Sequence, residues 1–261
     1  MSALLPHARI ADELSALGLG KGDRVVVHSS LRAVGPDAGG PEAIVDALLS
    51  VVGPDGLVVM PTFTYDNPRF DPQRTPGRTG LLPETLRARP RAVRSLHPFY
   101  SVAALGAGAE ELCEGHHLVA GTAVGSPLDR LADGGKVLLL GTSHTANTTI
   151  HVGEFRANVG YLYIPFYPDW PTEAEVELAD GSSFHAAYDR FPGCSRAFGV
   201  LERPLRERGA VRDGRVGHAL VQLMPGAALV EESVALLQAD EAALLCTDPV
   251  CHRCSRARAR L

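Results

Sequence analysis

Val137-Leu138-Leu139-Leu140-Gly141-Thr142-Ser143-His144-Thr145-Ala146-Asn147-Thr148-Thr149-Ile150-His151-Val152-Gly153-Glu154-Phe155 is the stretch around which the rest of this chain is arranged. A buried strand that stops at a glycine, passes through small polar residues and restarts as a helix aims backbone N–H groups and short side chains into one cleft. In that helix His151 and Glu154 stand three apart and share a face. An imidazole beside a carboxylate can take a proton from an attacking group while the carboxylate holds the imidazolium that results. The pair is the candidate catalytic centre. The same spacing also suits a buried structural histidine capped by a carboxylate.

Upstream, apolar positions at Ile10, Leu14, Leu17 and Leu19 predict an amphipathic helix over residues 8–19. A strand follows at 24–28, a helix at 41–52 and a second strand at 56–62. Helix, strand, helix, strand points to an α/β sheet with helices on its faces. Residues 65–80 hold three prolines, three arginines and few aliphatics, which reads as a long loop of the kind that carries function. Shorter pieces follow: a helix at 83–89, a strand at 100–105, a helix at 109–113, a small-residue loop at 116–127 and a helical turn at 128–132.

Beyond Phe155 the pattern changes to short alternating segments at 161–167, 173–178 and 183–188, with Asp180-Gly181 as a hairpin turn between the last two. Helices are expected at 195–208, 217–223 and 231–243. The predicted fold class is α/β: a mixed central sheet flanked by helices, an antiparallel excursion over 155–190 and a helical, zinc-stapled tail over 194–261. All of it forms one domain over 1–261.

The 261 residues are 45% hydrophobic and 21% charged with a net charge of -5, the profile of a soluble globular chain with ample core. A mildly acidic balance argues against a general nucleic-acid binder. No stretch approaches the roughly 18 apolar residues of a membrane span, and Met1-Ser2-Ala3-Leu4-Leu5 lacks the marks of a leader, so a cytoplasmic protein is expected.

Several side-chain groups can carry chemistry. His28-Ser29-Ser30-Leu31 closes the first strand, where N–H groups and hydroxyls can hold a phosphate or simply cap a helix. His97, kept extended by Pro98, can line a cleft or sit satisfied in the core. Asp66, Asp71 and Asp129 border the same predicted cleft and can meet ammonium groups, although most surface aspartates are only solvated. Of five cysteines, Cys194, Cys246, Cys251 and Cys254 cluster late, the last two as a CxxC. Four thiolates can make a closed tetrahedral zinc site that staples the tail to the body, with His185 and His252 as rival fourth ligands; the same cysteines can also stay reduced and unligated. A redox CxxC is disfavoured by its place at the chain's end.

Taken in order, these residues resemble the aminoglycoside 3-N-acetyltransferase family. The likeness rests on Val27-His28-Ser29-Ser30-Leu31, Met60-Pro61-Thr62, Arg94-Ser95-Leu96-His97-Pro98 with Ser101, Gly125-Ser126-Pro127, Leu139-Leu140-Gly141, Asn147-Thr148-Thr149-Ile150-His151-Val152-Gly153-Glu154 and Val216-Gly217-His218-Ala219. The chain looks closest to the class IV, apramycin-modifying branch, which also ends in a CxxC; Cys246 stands where that relative has a histidine. The resemblance implies acetyl transfer from acetyl-CoA to the 3-amino group of a 2-deoxystreptamine aminoglycoside, with no covalent acyl-enzyme.

By that likeness His151 is the general base and Glu154 either orients it or holds the substrate. Asp189 is a further catalytic carboxylate. His28, Ser29, Ser30, Leu31 and Arg32 form the loop that contacts coenzyme A, and Ser95, His97 and Ser101 line the cofactor and acceptor cleft. Likeness also leans toward a homodimer. Two rival readings stay open: the same transfer to a different primary amine, and a zinc-dependent hydrolase or binding module built on the cysteines, which would need an open coordination position.

Overall fold

The computed structural model describes residues 6–64, 67–164, 173–187 and 193–261. Helix α1 (Pro6–Leu17) leads to strand β1 (Arg24–Ser29), the single turn α2 (Leu31–Val34), helix α3 (Gly40–Val52) and strand β2 (Leu57–Pro61). A two-residue strand β3 (Arg69–Phe70) interrupts the 65–80 segment, ahead of α4 (Leu81–Arg87), β4 (Val93–Arg94), β5 (Val102–Gly106), α5 (Ala109–Cys113) and α6 (Pro127–Ala132). Strand β6 (Lys136–Leu140) and helix α7 (Ile150–Ala157) follow, then β7 (Glu173–Glu177), β8 (Ser183–Ala187), α8 (Glu202–Glu207), β9 (Arg212–Val216), β10 (Ala219–Pro225), α9 (Gly226–Ala239) and α10 (His252–Arg258).

The main sheet has seven strands in the order β4-β5-β2-β1-β6-β10-β9. Its centre, β2-β1-β6, is parallel, and antiparallel pairs close both sides. The central strands read as unbroken apolar runs because both their faces are covered. Val25, Val27, Val58, Met60, Leu138 and Leu140 pack with α1, α3 and α4 on one face, whereas Val26, Val59, Val137 and Leu139 pack with α5, α6, α7 and α9 on the other.

The chain leaves β1 toward β2 on one side, while β6 adds to β1 on the other. The carboxyl ends of β1 and β6, in register at Ser29 and Leu140, therefore flank the point where strand order reverses. In open α/β sheets that crevice is where ligands bind.

Two expectations need correction. The expected helix at 217–223 is strand β10, joined to β9 by the two-residue turn Gly217-His218. Ala219, Leu220, Leu223 and Met224 are good helix formers, but burial alternates along the segment, with Val221 and Leu223 inward and Leu220 outward. Ten ladder positions of pairing to β6 and β9 outweigh the local preference. The tail from 194 is thus not all helical, since its hairpin completes the main sheet. The excursion is a separate three-stranded sheet, β3-β7-β8, in which β7 and β8 are antiparallel and β3 pairs with β7 in parallel.

Candidate active site

The crevice is a cleft of about 680 Å³. Val27, His28 and Ser29 at the end of β1, Pro61 closing β2 and Phe63 just beyond it, Thr145, Ala146 and Thr148 in the turn after β6, and His151 on α7 all line it. Its further walls come from Arg78, Thr79, Pro83, Phe99 and Tyr100, and from Gly193, Ser195 and Arg253.

His151 lies in the first turn of α7, and Glu154 sits one turn on. Nδ1 of His151 is 2.5 Å from Glu154 Oε2. The other carboxylate oxygen accepts a hydrogen bond of 2.7 Å from the Tyr161 hydroxyl. Burial, reinforced by the adjacent carboxylate, drives the Tyr161 phenol far above its ordinary pKa, so it stays a donor. Glu154 is 2% exposed and does not line the cleft; it stands behind the imidazole with both oxygens engaged. Donation from Nδ1 makes Nε2 the basic nitrogen of the neutral ring. Phe198 packs edge-on against that ring, 4.8 Å between centroids.

The helix that carries this pair is held by close approach to α9. A Cβ on Gly153 would stand 2.4 Å from Ser233 Cβ, so only glycine lets α7 lie this near its neighbour.

The turn from 143 to 149 is built on its own hydrogen bonds. The amides of Ala146, Asn147, Ile150 and His151 each donate to a carbonyl three residues back. Those N–H groups are therefore committed, and of the turn's expected donors Thr145 and Thr148 remain as cleft-lining residues. Behind the turn, His144 Nε2 lies 3.2 Å from Glu202 Oε2, and Asn147 Nδ2 lies 3.3 Å from His144 Nδ1. Nε2 of His28 stands 3.5 Å from Thr149 Oγ1. Burial, and secondarily the nearby His144, pushes His28 down to about 3, so this imidazole is neutral at physiological pH.

The other expected site residues fall into distinct places. His28 and Ser29 are in the cleft, whereas Ser30, Leu31 and Arg32 run into α2 beyond its lining. Ser95, His97 and Ser101 lie one layer beneath. Ser95 Oγ is 2.8 Å from His116 Nδ1 and accepts from the Val102 amide, and His97 Nδ1 accepts from the amides of Phe99 and Tyr100. Ser101 Oγ donates to Thr62 O and accepts from Arg94 Nε, and Arg94 also reaches the carbonyls of Thr62 and Thr75 and stacks over Phe70. Burial lowers that guanidinium to about 10.

Neither described aspartate of the acceptor set reaches the cleft. Asp129 Oδ1 accepts from Arg156 Nε at 2.7 Å, and its Oδ2 accepts from the Gly125 amide. Asp71 folds its own turn by accepting from the amides of Gln73 and Arg74. Asp66 and Asp189 lie outside the described residues. Among the described residues the lining includes Arg78 and Arg253 and no carboxylate.

Cys194, Cys246, Cys251 and Cys254 converge, their four sulfurs within 4.8 Å of one another. Cys194 Sγ is 3.7 Å from both Cys246 Sγ and Cys251 Sγ. Sulfurs at the corners of a tetrahedron with zinc–sulfur bonds of about 2.3 Å are about 3.8 Å apart, so the donor set fits that ion. Hydrogen bonding from Cys254 above all draws the Cys194 thiol down to about 5. The rivals are elsewhere: His185 is exposed beside Glu173, and His252 points outward from α10. Gly193, Ser195 and Arg253 flank the cluster and line the cleft, and Arg253 Nη1 donates to Gly193 O.

Sequence reasoning missed Tyr161, Arg78, the aromatic wall of Phe63, Phe99 and Tyr100, and the rim of Ser195 and Arg253. Arg78 belongs to the loop marked as functional. Tyr161 had no periodic signal, because the chain breaks out of α7 at Asn158 in a left-handed conformation (φ 51°) before the phenol returns to Glu154.

The family model for aminoglycoside 3-N-acetyltransferases matches residues 26–238. Aminoglycoside N(3)-acetyltransferase VII of Streptomyces paromomycinus is 36% identical over 264 residues, covering 89% of this chain and 91% of that protein. A histidine-to-alanine mutant of aminoglycoside acetyltransferase AAC(3)-IVa, crystallised in complex with a gentamicin, matches with a TM-score of 0.87 at 31% identity over 100% of this chain and 99% of that one. The binary complex of AAC-IIIb with CoASH matches with a TM-score of 0.76 at 30% identity, over 91% of this chain and 97% of that one. No described helix is long and apolar enough to cross a membrane.

Proposed function

The chain belongs to the aminoglycoside 3-N-acetyltransferase family and is an acyltransferase; from that premise we propose that it moves the acetyl group of acetyl-CoA directly to the 3-amino group of a 2-deoxystreptamine aminoglycoside, with His151 as general base. The observation that carries this reading is the imidazole on the cleft wall, with Nδ1 tied to the buried Glu154 and Nε2 as its basic nitrogen.

An ammonium group cannot attack a thioester until it loses a proton. The acceptor gives its first proton to solvent and reacts as the free amine; His151 Nε2 accepts the second proton as the amine nitrogen bonds to the acetyl carbon, and Glu154, itself held by Tyr161, stabilises the imidazolium. The oxygen of the tetrahedral intermediate draws on donors of the 143–149 turn, with Thr145 and Thr148 at the cleft. Collapse breaks the carbon–sulfur bond, and the imidazolium proton passes to the departing thiolate. His28 and Ser29 then belong to the coenzyme side. Asp66 is the loop carboxylate expected to meet the acceptor's ammonium groups, and Asp189 is the further catalytic carboxylate that the likeness assigns.

The cysteine set fits a structural zinc ion, and the four thiolates would close its coordination sphere. Bound there, zinc would tie residue 194 to the tail. A hydrolase built on this centre would need a coordination position that four thiolates leave no room for.

Transfer to another primary amine is favoured by one observation, that no described lining residue is a carboxylate selective for a polycation. A thiol-release assay with acetyl-CoA and a panel of aminoglycosides tests the first reading, and absence of turnover with all of them would sink the substrate assignment. Product mass spectrometry with a wider amine set separates the two.

A further inference from the structure

The aromatic wall of the cleft stands on a frame of buried histidines that the transfer chemistry does not use. Pro98 removes a donor and turns the chain, which leaves the next two amides in need of acceptors within the protein. His97, 1% exposed, supplies one atom for both: its Nδ1 accepts from the Phe99 amide at 3.1 Å and from the Tyr100 amide at 2.9 Å. Thr64 fixes the same strand of backbone from the other side, its amide donating to Phe99 O and its hydroxyl to Pro98 O.

A second histidine secures the opposite flank of Tyr100. The His116 ring lies 4.9 Å from that of His97. Its Nε2 donates to Gly121 O at 2.9 Å, and its Nδ1 faces Ser95 Oγ. Gly121 is pressed against Tyr100: a Cβ there would come within 2.3 to 2.4 Å of the tyrosine side chain. Tyr100 is thereby confined between an amide held by His97 and a glycine carbonyl held by His116. It meets Phe63 edge-on at 4.7 Å, and Phe99 at 4.5 Å.

We propose that His97 is a positioning residue for acceptor recognition: by holding the Phe99 and Tyr100 amides it fixes the Tyr100 ring in the cleft wall, where the ring packs against the cationic sugar acceptor. The face of an aromatic ring is electronegative, so it attracts an ammonium-bearing ligand and offers nothing to the phosphates of the coenzyme. The imidazole supplies one compact, buried acceptor atom that both adjacent amides share. This assignment rests on the reading of the acceptor as an aminoglycoside.

Steady-state kinetics of His97→Leu, His97→Asn and Gly121→Ala test it, with KM measured separately for acceptor and for acetyl-CoA and folding checked by calorimetry. His97→Leu removes the acceptor atom, His97→Asn retains a shorter one, and Gly121→Ala displaces the same ring from the other side without touching His97. The expected result is a rise in acceptor KM of about tenfold or more for His97→Leu and Gly121→Ala, with His97→Asn between them and the wild type. The acetyl-CoA KM and kcat should stay within about threefold. An unchanged acceptor KM in folded Gly121→Ala, or a rise confined to the acetyl-CoA KM, would overturn the inference. Failure of the underlying functional reading is distinguishable, because it would appear in the wild-type chain as no turnover with any aminoglycoside.

Discussion

Replacing Glu154 by Gln separates the two roles open to this carboxylate. Its Oε2 faces His151 Nδ1 at 2.5 Å and its Oε1 accepts from Tyr161 at 2.7 Å. Gln can preserve the outline, with its carbonyl toward the imidazole and its amide toward the phenol oxygen. What disappears is the negative charge opposite a histidine that becomes cationic as the amine is deprotonated. A hydrogen bond to a charged group is worth about 1.5–3 kcal/mol. At about 1.4 kcal/mol per decade, kcat should fall by about 10- to 150-fold. Neither KM should move much, because the carboxylate is buried behind the ring and both its oxygens are occupied. The assay is thiol release under saturating acetyl-CoA across a range of aminoglycoside concentrations. A kcat within about threefold of wild type, or a large rise in acceptor KM with kcat preserved, would refute the reasoning and return Glu154 to the substrate.

Other perturbations probe the surroundings. Asp129→Ala should cost about 1–2 kcal/mol of stability by leaving the Gly125 amide without its acceptor and removing one of the two carboxylates that Arg156 pairs with, Asp133 being retained, while leaving acceptor KM unchanged. A raised KM at unchanged melting temperature would restore it as a ligand. His28, near 3, and His116, held well below its ordinary value by burial and by His97, are neutral when folded, but each takes up a proton near pH 6.5 when unfolded. The unfolded chain then binds the extra protons, so stability should fall as pH drops below about 6.5 toward 3, by up to about 1.4 kcal/mol per pH unit per histidine; a flat calorimetric profile between neutrality and about pH 5 would contradict this. Cys251→Ser should lose bound zinc, melt earlier and weaken turnover through the Gly193, Ser195 and Arg253 wall. Metal-free wild-type protein by elemental analysis would remove that account.

The sheet's centre is legible in the sequence because β1, β2 and β6 are buried on both faces and so read as continuous apolar runs ending in glycine or small polar residues. The His151–Glu154 pair is legible because helical spacing alone puts them on one face. What escapes such reading is non-local. β10 carries helix-forming residues and becomes a strand because Val221 and Leu223 meet Leu140 and Leu138 across the sheet. His97 and Ser101, expected on the cleft surface, lie beneath it, since each spends its polar atoms on neighbouring backbone or side chains. The loop around Asp129 suggests a place at the cleft, but Arg156, 27 residues later, claims its carboxylate. Tyr161 reaches the His151–Glu154 pair from beyond a helix break that no periodicity spans. The cysteines are evident from spacing, and their convergence also separates them from the rival ligands, because His185 and His252 are outside the cluster.

The most direct test of the central claim is mass analysis of the acceptor after incubation with acetyl-CoA and His151→Ala protein whose acetyl-CoA binding has been verified. The account predicts that wild type yields the mono-acetylated aminoglycoside and the variant none above the uncatalysed background. Acetylated product formed by the variant at near wild-type rate would contradict it.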